Sequence, residues 1–138
     1  MSTLPSPIKQ AVVIAVRAGR VLLITSRSRK RWLFPKGCLE PGKTLGEIAL
    51  QEAWEEAGLL GTLQPEPVGS YQYEKTGNRY IVTVFLMQVT EVAAKWPEMQ
   101  WRMRRWLRPV NVLPRLQELS LRKLFTKVIA AELMTVPA

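Results

Sequence analysis

The stretch from Gly37 to Leu59 leaves this chain little freedom in how it can fold. Thr44, with Glu47 three residues later, forms a capping box that opens a helix, and Gly58 is placed to close it after Ala57. Leu45, Ala49, Ala53 and Ala57 recur on that helix as a small apolar stripe, which lets it lie close against a sheet. Glu52, Glu55 and Glu56 stand at i, i+3 and i+4 and share another face. Three like charges so close cost stability unless solvent screens them or a cation neutralises them. Gly37 and Gly42 precede the helix and permit backbone conformations that aim carbonyl oxygens at the same place.

Composition narrows what those glutamates can do. Among the 138 residues there is no histidine, which removes Ser-His-Asp and Cys-His nucleophilic chemistry and every histidine-ligated metal. The single cysteine, Cys38, excludes an internal disulfide and a multi-cysteine zinc site. All 11 acidic residues are glutamates, so a metal held by several side chains is a hard cation on oxygen, Mg²⁺ or Mn²⁺. The net charge is +9, yet residues 37–59 carry five Glu and one Lys, or −4, which leaves +13 on the rest. An acidic cluster inside a basic shell suits a metal-dependent enzyme acting on a phosphate-rich substrate.

The remaining pattern reads as one α/β domain spanning residues 1–138, with helices layered on a mixed sheet. Ala11–Val16 and Val21–Thr25 form a hairpin across Ala18-Gly19-Arg20, Trp32–Phe34 is a short strand, and residues 36–43 are an ordered loop. Strands at Val68–Tyr73 and Arg79–Val89 meet at a turn over Lys75–Asn78. Residues 92–101 form a loop, Arg102–Leu107 a last strand, and residues 110–133 two helical pieces broken near Pro114. No signal peptide or membrane span is evident, so the expected compartment is the cytoplasm.

The Gly37–Leu59 segment resembles the Nudix box: Gly, five residues, Glu, seven residues, then Arg-Glu-apolar-x-Glu-Glu-x-Gly-apolar. Gly37, Glu52, Ala53, Glu55, Glu56, Gly58 and Leu59 fall at the required spacings. Lys43 stands where the pattern has its first glutamate, and Gln51 where it has arginine. The resemblance implies a Nudix fold, an α/β/α sandwich with a mixed central sheet. It also implies hydrolysis of a diphosphate linkage, with Mg²⁺ or Mn²⁺ held by Glu52, Glu55, Glu56 and the Gly37 carbonyl, and with Glu55 or Glu56 as general base. Lys43 and Gln51 keep open an alternative, a domain that binds a nucleotide, polyphosphate or RNA without turnover. Glu98 resembles a further carboxylate found in that region of some relatives, although a solvated loop residue is the plainer expectation.

The loop Trp32-Leu33-Phe34-Pro35-Lys36-Gly37 is similar to that of the branch cleaving diadenosine polyphosphates and diphosphoinositol polyphosphates. In that reading Lys36, together with Arg27, Arg29 and Arg31 just before it, contacts substrate phosphate. Arg104 joins them from a second cluster at Arg102, Arg104, Arg105 and Arg108, if the fold brings both to one rim. Tyr71, Tyr73 and Tyr80, like Trp96, Trp101 and Trp106, could stack on an adenine or simply fill core and rim. The implied partner is a small-molecule diphosphate or polyphosphate; RNA fits less well.

Overall fold

The computed structural model describes residues 5–130; residues 1–4, and the last three of the expected helical stretch, lie outside them. Two long strands, β1 (Ile8–Arg17) and β7 (Asn78–Val92), run parallel through the centre of one sheet, paired from Ile8↔Tyr80 to Val16↔Gln88. The other pairings are antiparallel. The outer side of β1 is shared between β2 (Arg20–Thr25) and β4 (Lys36–Cys38), that of β7 between β5 (Leu59–Leu63) and β6 (Gly69–Lys75). Beyond β2 lie β3 (Trp32–Leu33) and β8 (Arg104–Leu107).

Side-chain alternation then divides the core into two layers. Ala11, Val13, Ala15, Leu22, Ile24, Phe85, Met87 and Val89 face helix α1 (Leu45–Ala57), which buries Ile48, Ala49, Ala53 and Ala57 against them. Alanines at 11 and 15 opposite alanines on the helix allow the close approach that the apolar stripe suggests. On the other face, Val12, Ile14, Val16, Val82, Val84 and Leu86 pack beneath α2 (Pro109–Val112), a 3₁₀ turn (Leu113–Arg115) and α3 (Leu119–Val128). The result is the expected α/β/α sandwich with a mixed sheet.

Local chemistry sets the boundaries. Glu47 N donates to Thr44 Oγ1 (3.1 Å) and Thr44 N to Glu47 Oε1 (2.9 Å), completing the capping box, and Gly58 ends α1 at φ 68°. Ala18 and Gly19 both take positive φ, giving the two-residue turn whose twist matches a hairpin. Two elements differ from the sequence reading. Part of the 36–43 loop is β4, because Lys36–Cys38 finds free ladder positions beside Gln10–Val12. Strand β5 starts directly after Gly58; its pairing with β7 shifts register at Leu60/Gly61, where a Cβ on Gly61 would collide with the Gln88 carbonyl. A glycine-centred bulge erases the alternation that would have announced a strand.

Candidate active site

Helix α1 carries Glu52 and Glu56 to the edge of the sheet, and the 93–103 connection folds back over them. Glu98 N donates to the Glu55 carbonyl (3.0 Å), and Met103 and Thr25 exchange hydrogen bonds that stitch this connection to the end of β2. Carboxylate oxygens of Glu52, Glu56 and Glu98 converge so that all lie within 4.8 Å of one another. Glu98 is therefore no solvated loop residue: its side chain is 13% exposed. Glu55 shares the helix face but is not part of this convergence.

Arg102, expected to open the last strand within a basic cluster, instead precedes that strand and is buried among these carboxylates. Its Nη2 donates to Glu56 Oε2 (3.0 Å), its Nε to Glu98 Oε1 (2.9 Å) and its Nη1 to the Thr25 carbonyl (2.9 Å). The Lys36 amide donates to Glu56 Oε1 (2.9 Å). Even with these donors, desolvation pushes the Glu56 carboxyl up to about 7. Burial, then repulsion from Glu55 and Glu98, raises Glu52 to about 7 as well.

These residues fit a hard divalent cation: the converging donors are all carboxylate oxygens, and their charge exceeds what the surrounding protein neutralises. A linkage follows. Both carboxyls titrate near 7 in the folded protein against 4.5 ordinarily, so between those values the fold holds more protons than the unfolded chain. The stability this contributes is intact below about 4.5 and lost as pH rises through about 7. Thermal melts in chelator are expected to show a midpoint that falls over that window. Mg²⁺ is expected to raise the midpoint more at alkaline than at acid pH; a pH-independent Mg²⁺ effect would contradict the site.

Gly37 sits in β4 against Glu52. Its backbone does not have positive φ, so what it supplies is room: a Cβ there would stand 2.7 Å from Glu52 Cδ and 2.8 Å from Oε1. Gly37→Ala is expected to displace Glu52 and weaken Mn²⁺ affinity about 10-fold or more, read by calorimetry, with little change in the far-ultraviolet dichroism spectrum. The two positions that depart from the Nudix pattern meet each other. Lys43 Nζ donates to Gln51 Oε1, Gln51 Nε2 donates to Glu40 Oε2 (2.7 Å), and Lys43 pairs with Glu40 at 3.7 Å. The loop ahead of α1 is thus tied to the helix without the usual residues.

The cations divide differently from the expectation of a single rim. Arg104 donates both Nη groups to the carbonyls of Ala57 (2.8 Å) and Ala93 (2.5 Å) and lies 3.9 Å over the Trp96 ring. Trp96 Nε1 donates to the Glu56 carbonyl (3.1 Å), so this pair caps the end of α1, and Arg104 is committed there instead of facing a phosphate. Arg27 is exposed, 4.0 Å from Glu98 Oε1, and Arg29 Nη2 donates to the Gln100 carbonyl (2.9 Å). Arg31 and Lys36 instead line a cavity of about 280 Å³ on the α3 side, with Trp32, Tyr73, Lys75 and Arg115. Lys75 and Arg115 had no motif to single them out. Tyr73 stacks on Tyr80 at 4.6 Å and donates to Gln10, and Lys36 Nζ stands 5.6 Å from its ring centroid. Lys36 thereby joins the two regions, its amide on Glu56 and its side chain in the cavity.

A mixed sheet between helices with clustered glutamates at the end of the capped helix defines a Nudix domain, and the chain belongs to that family, matching the NUDIX domain over residues 7–128. It is 38% identical over 90 residues to Nudix hydrolase 4 of Arabidopsis thaliana, which covers 64% of this chain and 43% of that protein. It is 30% identical over 115 residues to diphosphoinositol polyphosphate phosphohydrolase 3-beta of Bos taurus, covering 79% of this chain and 69% of that one. The fold superposes on the Ap4A hydrolase of C. elegans with a TM-score of 0.73 at 21% identity, over 91% of this chain and 98% of that one. The chain spans about half the length of the plant relatives it matches, several of which are mitochondrial by name. Among the described residues no helix is long and apolar enough to cross a membrane.

Proposed function

We propose that this chain hydrolyses a diphosphate linkage in a small phosphate-rich molecule, of the diadenosine polyphosphate or diphosphoinositol polyphosphate kind, with the help of Mg²⁺ or Mn²⁺. The observation that carries the reading is the convergence of Glu52, Glu56 and Glu98 within 4.8 Å, with Lys36 linking that cluster through its amide to the cavity that its side chain lines. Glu52, Glu56 and Glu98 would hold the cation, joined by the carbonyl of Gly37, a residue that packs against Glu52; Glu98 takes the place in that set that the Nudix resemblance gives to Glu55. When bound, the cation neutralises diphosphate oxygens and lowers the pKa of the attacking water.

The chain's own groups supply the rest. Glu55 makes no ion pair among the described residues and stands on the same helix face, so it accepts the proton of the attacking water. Arg31, Lys36, Lys75 and Arg115 hold the phosphates that are not cleaved, because four cations against the single carboxylate of Glu118 around one cavity match a polyanion better than a single phosphate. Arg27 and Arg29, on the Glu98 side, offset the carboxylates' repulsion of that polyanion as it approaches. Relatives named for diphosphoinositol polyphosphate and Ap4A hydrolysis support the substrate class. Turnover is favoured over binding alone by the Lys43–Gln51–Glu40 network, which ties loop to helix without the usual pair.

The test is product chromatography with diadenosine polyphosphates, a diphosphoinositol polyphosphate, ADP-ribose, nucleoside triphosphates and a 5′-triphosphorylated RNA, each with Mg²⁺ and with chelator. Mg²⁺-dependent cleavage of one of the first two classes is expected. Glu55→Gln should lower kcat about 10²-fold or more while leaving Mn²⁺ affinity within a few-fold. Metal-dependent ligand binding with no cleavage of any member would replace this reading with a binding domain.

A further inference from the structure

The geometry points to Arg102 as a built-in counter-cation that limits the substrate-free carboxylate site to one divalent ion. The inference rests on the metal-binding reading above. Arg102 is 9% exposed and donates through all three of its guanidinium nitrogens, to Glu98 Oε1, Glu56 Oε2 and the Thr25 carbonyl. Glu56 Oε1 meanwhile accepts from the Lys36 amide. Of the carboxylate oxygens in the cluster, Arg102 and Lys36 thus leave Glu98 Oε2 and both oxygens of Glu52 for a ligand.

Charge gives the same count. Once a bound cation has displaced their protons, the three carboxylates carry −3, and Arg102, paired at 3.0 Å and 2.9 Å, returns +1, so the cluster stands at −2. One divalent ion balances that. A second would leave an excess of +2 beside a guanidinium with little contact with water, and the only further carboxylate on that helix face, Glu55, is partly exposed and offsets little of the cost. Arg27, 4.0 Å from Glu98 and 74% exposed, adds only a screened contribution of the same sign. A bound diphosphate brings its own negative oxygens, so the limit applies to the protein without substrate. Arg102 in this role is a positioning residue: it shapes the site through Glu56 and Glu98 without touching the reacting atoms.

Counting bound Mn²⁺ by electron paramagnetic resonance, on the full chain without substrate, tests this. The wild type is expected to bind one Mn²⁺ per chain, Arg102→Met two, and Arg102→Lys, which keeps the charge, one. Should Arg102→Met not fold, Arg102→Gln is read in its place with the same expectation. A purely structural arginine would lower the melting midpoint on removal and leave the count at one, which overturns the proposal. Two ions in the wild type overturn it as well while leaving the proposed function standing. No Mn²⁺ in the wild type would remove both readings at once.

Discussion

Glu52→Gln is expected to lower turnover by about 10²-fold or more and, in metal-free protein at alkaline pH, to raise the melting midpoint. The two effects have one origin. Glu52 has no salt-bridge partner among the described residues, and burial with repulsion from Glu55 and Glu98 pushes its carboxyl to about 7. Above that pH the folded protein carries a charge it would shed, and a neutral amide of the same shape removes the penalty. Half-exposure screens much of it, so the gain is about 1 kcal/mol, or about 3 °C for a chain of this size. A residue kept for stability alone would behave in the opposite way on both counts. Melts in chelator at pH about 8, run beside steady-state kinetics in Mg²⁺, check the pair of effects. A variant that is both less stable and fully active would remove Glu52 from the site.

Arg102→Ala is expected to cost the metal-free protein about 3–5 kcal/mol in urea unfolding, because it leaves Glu56 buried without its charged partner. It also removes the Nη1 hydrogen bond to the Thr25 carbonyl, leaving the Met103–Thr25 hydrogen bonds alone to hold the 93–103 connection to β2. Mg²⁺ should restore part of the loss in the variant, since a cation on the same carboxylates takes over some of the neutralisation. A cost below about 1 kcal/mol would mean that the pair behaves like an exposed one. Comparing unfolding in chelator and in Mg²⁺ separates the two contributions.

Much of the framework was legible because short-range chemistry dictates it. The capping box at Thr44 and Glu47, the stop at Gly58, the Ala18-Gly19 turn and the alternation in β1 depend on neighbours within a few residues, and all stand where the sequence pointed. The spacing of Glu52, Glu55 and Glu56 was equally plain, since helical periodicity alone puts them on one face. Strand β5 was missed because its bulge at Gly61 is justified only by the Gln88 carbonyl across the sheet. The β4 pairing was missed because its partner lies on β1, 28 residues away at Gln10 and Cys38.

The arginines separate the two kinds of information most clearly. Their number and the basic surplus follow from composition, and from that surplus an anionic substrate could be argued. Which of them meets it could not. In sequence Arg102 and Arg104 form one cluster with Arg105 and Arg108, yet Arg102 turns in to Glu56 and Glu98 while Arg104 caps α1 through Ala57. Arg31 and Lys36 line a cavity with Lys75 and Arg115, residues distant in sequence and marked by no motif. The sequence alone therefore determined the helix, its three glutamates and the family they resemble, because residue identity and local spacing are enough for these. The tertiary structure decided that Glu98 completes the carboxylate cluster and which cations line the cavity. A long charged side chain takes its role from whichever acceptor the folded backbone brings within reach, and those acceptors come from other strands and loops.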